Sequence, residues 1–274
     1  MLLDGKALSD KIKDELTKKI KNYLVKPCLA VIQIGNDEAS NIYIRSKEKA
    51  CQQVGINFIY IKFEEDTAEQ EIINKIVELN NDPYVNGILL QLPIPPKFNQ
   101  YRLLNTINKN KDVDGLTDAN MGLLFKDNSN LVPCTPLGIV TLLKEYKIDL
   151  IGKHVVVIGK SNLVGKPLAI LLLQEGATVT ICHSKTNNLK DFTKQADVLI
   201  SAVGKKDLVT MDMVKEGVIV IDVGINRVAG KLYGDVDFEK VKQKASYITP
   251  VPGGVGPMTV AMLLSNVVKN YEKK

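Results

Sequence analysis

The sequence predicts an α/β protein with two domains, and three observations lead to that fold class. Short apolar, β-branched runs alternate with amphipathic helices along the chain, which is the pattern of parallel strands joined by helices. A stretch rich in Asn, Asp and Gly over residues 109–130 interrupts this alternation, as domain junctions do. The length of 274 residues is long for one compact core and comfortable for two modest domains.

The composition is that of an ordinary water-soluble globular protein. It has 45% hydrophobic and 24% charged residues and a mean hydropathy near zero. No run approaches the roughly 18 uncharged apolar residues that a membrane helix needs. The chain also turns polar at Asp4, before a secretory leader could form. We therefore expect a cytoplasmic protein with no membrane partner.

The cysteines, histidines and charges argue against several other classes. The two histidines, His154 and His183, are too few for a His-built metal site, so we expect no metal. Basic residues exceed acidic ones by 36 to 31, but no basic stripe interleaved with aromatic residues is present and the chain has no Trp. We expect no nucleic-acid partner, while a polyanionic small ligand remains compatible. The cysteines, too scattered for a disulfide framework, are Cys28, Cys51, Cys134 and Cys182.

The first half of the chain alternates helix and strand. A first helix is predicted from apolar residues at every fourth position: Leu8, Ile12, Leu16 and Ile20. The next predicted elements are a strand over 28–34, a helix over 38–54 stopped by Gly55, a strand over 56–63, a helix opened by a Thr67–Gln70 capping box with Ile72, Ile76 and Leu79 on one face, and a buried strand over 87–92. This order predicts parallel strands.

The second half repeats the alternation. Thr135 and Pro136 predict the N-cap and first position of a helix. The other predicted elements are strands over 154–158, 177–182, 197–203 and 217–223, helices over 165–175 and 188–195, and a closing helix over 257–271. We expect residues 1–118, completed by 257–274, to form the first domain and 119–256 the second. The C-terminal helix is expected to pack back on the first domain, because its apolar stripe needs a partner.

The sharpest local pattern is a strand, 154–158, that runs into Gly159 and then into a helix beginning at Gly165. Such a turn presents free backbone N–H groups and the positive end of a helix to a phosphate. It is not a strict G-x-G-x-x-G, because Ser161 replaces the middle glycine, and it is not a P-loop, because position 154 is His. We favour a Rossmann-like nucleotide domain over the alternative that both glycines are only turn and packing residues.

The following strand indicates which nucleotide is bound. NAD sites usually carry Asp or Glu at its end, where the carboxylate bonds the ribose 2′-OH. Here the strand ends in Cys182, His183, Ser184 and Lys185, so a hydroxyl and a cation replace the acid. Lys160 adds further positive charge. These residues favour NADP, and His183 is interpreted as a strand-end residue rather than a catalytic one.

Tyr43 and Lys47 lie four residues apart on a predicted helix, hence side by side on one face. Short-chain dehydrogenases use such a pair, but there it follows the glycine-rich turn, whereas here it precedes that turn by more than a hundred residues. Alone, the pair is better interpreted as a surface Tyr and a solvated Lys. Gln91, a polar residue in an otherwise apolar strand before a proline cluster, needs a buried partner.

Two further segments complete the pattern: the acidic turn Lys111-Asp-Val-Asp114-Gly115 and the stiff, glycine-rich loop over residues 250–259. Taken in order with Ser40…Tyr43…Lys47, with Gln91-Leu-Pro and with the Gly159 turn, these segments resemble bifunctional methylenetetrahydrofolate dehydrogenase/cyclohydrolase. The resemblance covers essentially the whole chain, and the final glycine-rich block is its most specific part.

The resemblance implies oxidation of 5,10-methylenetetrahydrofolate with NADP and hydrolysis of the methenyl product to 10-formyltetrahydrofolate, with no metal. It implies a homodimer with tetrahydrofolate substrates as partners, in the one-carbon metabolism that serves purine, methionine and histidine biosynthesis. Lys47 would be the catalytic acid/base, Gln91 would bond and tune it, Tyr43 would stack on the aryl part of the folate and Asp114 would hold the pterin. Substrate contacts are also implied for Leu92, Pro252, Gly253 and Gly254, and cofactor contacts for Gly159, Lys160, Ser161, Ser184 and Ile225. The family commonly has Arg at the position of Lys160, and Lys keeps the charge without the planar fork.

Two alternatives stay open at the level of sequence. One is a shikimate-dehydrogenase-like NADP oxidoreductase, which shares the two-domain layout. The other is a non-catalytic NADP-binding protein, which predicts that Tyr43, Lys47, Gln91 and Asp114 do not converge.

Overall fold

The computed structural model describes residues 1–273. Its helices are α1 Gly5–Lys21, α2 Glu38–Val54, α3 Glu69–Asn81, α4 Gln100–Thr106, α5 Asp118–Phe125, α6 Cys134–Glu145, α7 Gly165–Gln174, α8 Leu189–Thr193, α9 Phe238–Val241 and α10 Val255–Tyr271. Its strands are β1 Cys28–Ile34, β2 Asn57–Phe63, β3 Gly87–Leu90, β4 His154–Ile158, β5 Thr178–Cys182, β6 Val198–Ser201, β7 Ile219–Asp222, β8 Asn226–Val228, β9 Lys231–Tyr233 and β10 Tyr247–Ile248.

The chain forms two compact units, which are described separately. The N-terminal unit comprises Asp10–Cys134 and the chain from Val260 onward, and the middle unit comprises Met1–Ser9 and Thr135–Thr259. The Asn- and Gly-rich segment over residues 109–130 lies within the N-terminal unit and contains α5. The chain therefore divides at 134/135, sixteen residues after the expected boundary at 118.

The N-terminal unit is built on a parallel sheet of order β2-β1-β3. All seven residues of the central strand β1 are buried, which explains its unbroken apolar run. Ile72 and Ile76 of α3 are fully buried in the core against this sheet. Gly55, at φ +86°, ends α2 as its sequence position predicts.

The C-terminal helix α10 belongs to this unit from Val260 onward, which confirms that it packs back on the first part of the chain. The Asn266 side chain donates from Nδ2 to the carbonyls of Val113 (2.9 Å) and Val132 (3.0 Å). Asn270 donates to the carbonyl of Asn86 at 2.6 Å. These buried amides join α10 to three separate backbone segments.

The middle unit is built on a parallel sheet of order β10-β7-β6-β4-β5. β4 lies between β5 and β6, so the winding reverses there, and the carboxyl ends of β4 and β6 form a topological switch point. The start of the chain lies along the edge strand β10, where the Leu3 N–H donates to the carbonyl of Ile248 at 2.9 Å. This is a doubly wound nucleotide-binding architecture, as predicted.

Several predicted boundaries are wrong. The Thr67–Gln70 capping box does not form: α3 begins at Glu69 with Ala68 as its N-cap, because the Thr67 N–H is used in the preceding turn, on the Glu64 carbonyl at 3.2 Å. The strand predicted over 87–92 ends at Leu90.

Other differences lie in the second half. α6 begins at Cys134, so Pro136 lies within its first turn. N–H groups of the first turn have no acceptor inside the helix, so the missing N–H of proline costs no intrahelical hydrogen bond there. The hairpin β8–β9, the short α9 and the two-residue β10 were not predicted, since elements of two to four residues are too short to show a period.

Within residues 1–273, no helix is long and apolar enough to cross a membrane. Over the same residues, no group of three His, Cys, Asp or Glu side chains is placed to hold a metal ion. The four cysteines are free and buried.

Candidate active site

Lys47 and Gln91 meet in the N-terminal unit. Asp37 caps the start of α2 by accepting from the Ser40 N–H at 2.8 Å, which fixes the helix that carries Lys47 three turns further on. The Lys47 ammonium Nζ donates to Gln91 Oε1 at 2.8 Å. Gln91 directly follows β3 and is buried, and its Nε2 donates to the Leu92 carbonyl at 2.6 Å. The buried amide therefore has the partner that its sequence context requires.

Asp114 lies beside Lys47 on a turn whose shape is fixed by Asp112. The Asp112 carboxylate accepts from the Thr117 N–H and from the Asn120 side-chain amide, both at 2.8 Å. Gly115 follows at φ +70°, and a Cβ there would lie 2.6 Å from the backbone of Pro133, so only glycine fits. The Lys-Asp-Val-Asp-Gly sequence thus builds a tight turn that presents one carboxylate to the lysine.

The two charged groups shift one another's proton affinity. Burial lowers the pKa of the Lys47 ammonium below its usual value, and the negative charge of Asp114 opposes that shift. Burial raises the pKa of the Asp114 carboxyl, and the charge of Lys47 opposes that shift in turn. A lysine of this kind holds a larger fraction of neutral amine near neutral pH than a solvated one, so it can exchange protons with a substrate.

Tyr43 lies one helical turn before Lys47, and its side chain is 40% exposed. A partly exposed ring at that position can cover a flat ligand that reaches Lys47. Ser40 lies one turn earlier still and is buried, with its hydroxyl 3.5 Å from the Leu92 carbonyl. The structure thus brings Lys47, Gln91 and Asp114 together and sets Tyr43 beside them.

The nucleotide turn of the middle unit leaves no room for side chains at its two glycines. Gly159 has φ +123°, and a Cβ there would lie 2.5 Å from the Ala202 carbonyl oxygen. A Cβ on Gly165 would lie 2.0 Å from the Gly159 carbonyl oxygen. Ser161 Oγ accepts from the Val164 N–H at 3.1 Å at the start of α7. This cradle can hold a pyrophosphate against backbone N–H groups.

The end of β5 carries no acidic side chain. The Gly159 N–H donates to the Cys182 carbonyl at 2.8 Å, which sets the two strand ends side by side. Ser184 and Lys185 beyond β5 are exposed, as is Lys160 beyond β4. A hydroxyl and cations at this edge fit a 2′-phosphate better than a free 2′-OH. His183 accepts from the Lys185 N–H through Nδ1 at 3.1 Å, which agrees with its interpretation as a strand-end residue.

Five other predicted residues divide between the units. Leu92 belongs to the N-terminal unit and is half-buried beside Gln91. Pro252, Gly253 and Gly254 belong to the middle unit, where the Gly253 carbonyl accepts from the Lys6 N–H at 2.8 Å. Ile225, three residues beyond the end of β7, is 44% exposed.

Cys134 lies beside the cluster around Lys47, and the sequence did not predict it there. Its buried thiol donates to the Val113 carbonyl at 3.3 Å and lies near the Asp114 carboxylate, and burial raises the pKa of the thiol well above its usual value, so it stays protonated. Cys51, one turn after Lys47, is also buried close to the lysine. Cysteine spacing in a sequence bears on disulfides and metal sites, and no sequence period marks a thiol as a neighbour of a carboxylate.

A dinucleotide cradle at a topological switch point and a lysine held by a buried amide define a two-domain, nucleotide-dependent enzyme. Residues 3–114 match the family profile "Tetrahydrofolate dehydrogenase/cyclohydrolase, catalytic domain", and residues 133–274 match its "NAD(P)-binding domain". The chain therefore belongs to the tetrahydrofolate dehydrogenase/cyclohydrolase family.

Individual relatives agree along the whole length. "Bifunctional protein FolD" of Halalkalibacterium halodurans is 51% identical over 98% of both chains. The bifunctional FolD dehydrogenase/cyclohydrolase structure from Campylobacter jejuni is 52% identical, with a TM-score of 0.98 over 100% of this chain and 99% of that one. The Trypanosoma brucei enzyme, solved with NADP cofactor and an inhibitor, is 35% identical with a TM-score of 0.95 over 100% and 97%. Shikimate dehydrogenase of Aquifex aeolicus is 14% identical with a TM-score of 0.54 over 88% and 91%, and shares the fold alone.

Proposed function

We propose that this chain oxidises 5,10-methylenetetrahydrofolate with NADP and hydrolyses the resulting methenyl compound to 10-formyltetrahydrofolate. The observation that carries this proposal is the half-buried Lys47, with its Nζ 2.8 Å from Gln91 Oε1 and Asp114 beside it, in a chain that matches both domains of the family. The N-terminal unit would bind the folate and the middle unit would bind NADP.

For the dehydrogenase step, this chain supplies binding and orientation. Gly159 and Gly165 let the backbone approach the pyrophosphate, and Lys160, Ser161 and Ser184 would hold the phosphates, with Ile225 against the cofactor. When bound, NADP⁺ accepts a hydride from the methylene carbon of the folate. No proton has to leave that carbon, so positioning of the folate carries this step.

For the cyclohydrolase step, Lys47 moves the protons. The neutral amine accepts a proton from the water that attacks the methenyl carbon, which gives a neutral carbinolamine. The ammonium so formed returns this proton to the ring nitrogen as the bond between that nitrogen and the carbon breaks, and the hydroxyl proton leaves to solvent as the formyl C=O forms. Gln91 orients Nζ, Asp114 holds the pterin, and Tyr43 covers the aryl group. The remaining substrate contacts are proposed for Leu92, Pro252, Gly253 and Gly254.

Two observations weigh against the alternatives. A non-catalytic protein predicts that the four residues do not converge, whereas Lys47, Gln91 and Asp114 meet and Tyr43 lies one turn away. The likeness to shikimate dehydrogenase, at 14% identity, concerns the fold only.

The decisive experiment compares Lys47→Met with the matched control Lys49→Met, an exposed lysine on the same helix. Met keeps the unbranched stem but cannot carry a proton, so we expect cyclohydrolase activity to fall by about 10²–10⁴. Dehydrogenase activity should fall less, and Lys49→Met should leave both activities unchanged. Absence of NADP-dependent oxidation by the wild-type protein would overturn the proposal. Methenyl hydrolysis by Lys47→Met at the wild-type rate would remove Lys47 from it.

We also propose that the protein is a cytoplasmic homodimer serving purine, methionine and histidine biosynthesis. The support for this is family membership alone, which is an analogy. One chain has a mass of 30.2 kDa. Sedimentation equilibrium at micromolar protein concentration is expected to give about twice that mass.

A further inference from the structure

Two aspartates of the middle unit are deeply buried, and neither belongs to the nucleotide turn or to the cluster around Lys47. Asp222 ends β7 and is 3% exposed, and Asp235 follows β9 and is 0% exposed. Within residues 1–273, no lysine or arginine side chain forms an ion pair with either carboxylate. Buried carboxylates are retained only where hydrogen bonds compensate their desolvation, so the donors around them show what they hold.

Five donors converge on the Asp235 carboxylate. They are the Ser201 hydroxyl (3.0 Å), the backbone N–H groups of Val203 (2.8 Å), Gly204 (3.2 Å) and Lys205 (2.8 Å), and the Asn226 side-chain amide (3.2 Å). The Asp235 side chain is therefore hydrogen-bonded to the end of β6, to the loop that follows it and to the start of β8.

Asp222 anchors Asp235 in return. Its carboxylate accepts from the N–H groups of Asp235 (2.8 Å), Val236 (2.9 Å) and Gly224 (3.0 Å). Burial raises the pKa of Asp222 to about 6, so at neutral pH it is ionised and accepts all three bonds. A Cβ on Gly224 would lie 2.0 Å from Asp235 Oδ1, and a Cβ on Gly234 1.8 Å from Asp222 Oδ2. The two carboxylates and two glycines form one reciprocal clamp.

This clamp sits directly behind the nucleotide turn. The loop held by Asp235 begins at Ala202, whose carbonyl oxygen is the atom that leaves Gly159 no room for a Cβ. The other gathered segment contains Ile225, which lies between Gly224, bonded to Asp222, and Asn226, bonded to Asp235. Both segments leave the carboxyl edge of the sheet, where a dinucleotide binds.

We propose that Asp235 is a positioning residue for NADP: its carboxylate fixes the loop behind Gly159 and the segment that carries Ile225 in the conformation that binds the cofactor. The inference rests on the proposed function for the identity of the ligand. It assigns Asp235 no contact with NADP and no part in proton transfer. Its effect must therefore appear in cofactor affinity and not in hydrolysis of the methenyl compound, which needs no NADP.

The test compares Asp235→Asn with Asp197→Asn. Asn would turn an NH₂ group toward N–H donors and break part of the clamp. Asp197 is a matched control, because it too accepts from backbone, the His154 N–H at 2.8 Å, but just before β6, at the amino end of the same sheet. The readouts are the NADP⁺ dissociation constant by titration calorimetry, the KM and kcat of the dehydrogenase, and the cyclohydrolase rate measured without NADP.

We expect Asp235→Asn to weaken NADP⁺ binding about tenfold or more and to change the cyclohydrolase rate less than about twofold, while Asp197→Asn leaves NADP⁺ binding unchanged. Unchanged NADP⁺ affinity in a folded Asp235→Asn protein would overturn the proposal. An equal loss of dehydrogenase and cyclohydrolase activity, measured below the melting temperature of Asp235→Asn, would also overturn it. If Asp235→Asn does not fold, Ser201→Ala removes one donor, and it must still weaken NADP⁺ binding by about threefold.

The wild-type protein separates this inference from the proposed function. Wild-type protein that binds NADP⁺ without oxidising methylenetetrahydrofolate would overturn the proposed function, and the dissociation constants would still decide the role of Asp235. Wild-type protein that does not bind NADP⁺ would overturn both.

Discussion

Burial and charge act on Lys47 in opposite directions, and the balance sets the pH at which it can work. Burial lowers its pKa below 10.5, whereas the negative charge of Asp114 raises it. If the neutral amine takes the proton from water, cyclohydrolase activity rises with pH through that lowered pKa. We expect a half-maximal pH below 10.5 after subtraction of the spontaneous hydrolysis.

Asp114→Asn checks the sign of this effect. Removing the carboxylate takes away the largest influence that raises the pKa of Lys47, so the pH profile must move to lower pH. This shift of the pH profile can be distinguished from a loss of folate affinity, because a loss of affinity raises KM. A profile that stays in place or moves upward would show that Lys47 is not the titrating base.

A further prediction concerns Ser184 and the choice between NADP⁺ and NAD⁺. Ser184→Asp places a carboxylate where the 2′-phosphate of NADP would lie, so kcat/KM with NADP⁺ should fall about tenfold or more while kcat/KM with NAD⁺ holds or rises. Asn187→Asp adds the same charge to the same exposed loop and serves as the control. A parallel loss with both cofactors would place Ser184 away from the ribose.

The attachment of helix α10 can be measured as stability. Asn266→Ala leaves the buried Val132 carbonyl without its donor and the Val113 carbonyl with only the weak donor Cys134 Sγ, at a cost of about 1–3 kcal/mol in the free energy of unfolding. Ser265→Ala is the control, because that hydroxyl bonds only within the helix, to the Ala261 carbonyl at 2.9 Å. Urea unfolding of the two variants measures the difference, and equal midpoints would show that Asn266 is dispensable.

Elements were predictable from the sequence wherever burial or chain geometry imposes a pattern. β1 is buried on both faces and was predicted to the residue, and Gly55 marked the end of α2 because only glycine takes its left-handed conformation at no cost. The Thr67 cap failed because a local turn competed for the same backbone. The β8–β9 hairpin is too short to show a period in the sequence, and the hydrogen bonds of Asp222 and Asp235 to the neighbouring loops follow no periodic pattern.

The same limit applies to the site. Gln91 stood out as a polar residue in an apolar strand and Asp114 as part of an acidic turn, whereas Lys47 alone was interpreted as a solvated lysine. The family resemblance gave Lys47 and Asp114 their expected roles. Cys134 did not stand out, since its role depends on a turn that brings residues 114 and 134 together. Sequence reveals residue types at a spacing, whereas the pKa of a group depends on every neighbour that folding supplies.

At the scale of the whole molecule, the N-terminal unit is not one continuous stretch of chain. Residues 10–134 alone lack α10, whose Leu264 and Val267 are fully buried. We expect that fragment to show no cooperative thermal transition, and the same fragment joined to residues 255–274 by a flexible linker to recover one. Cooperative unfolding of residues 10–134 with the midpoint of the joined fragment would contradict this.

The exchange of chain ends between the units has a consequence for synthesis. The ribosome makes residues 10–134 first, but it makes the helix that completes their unit only after residues 135–259. At about 5–20 residues per second, translation of the stretch between Cys134 and Val260 takes roughly 6 to 25 seconds. During that time the nascent chain exposes the surface that will receive α10, including the carbonyls of Asn86 and Val113. The lysine-bearing half therefore matures only after the middle unit has been synthesised, and a chaperone that shields this surface would act during that interval.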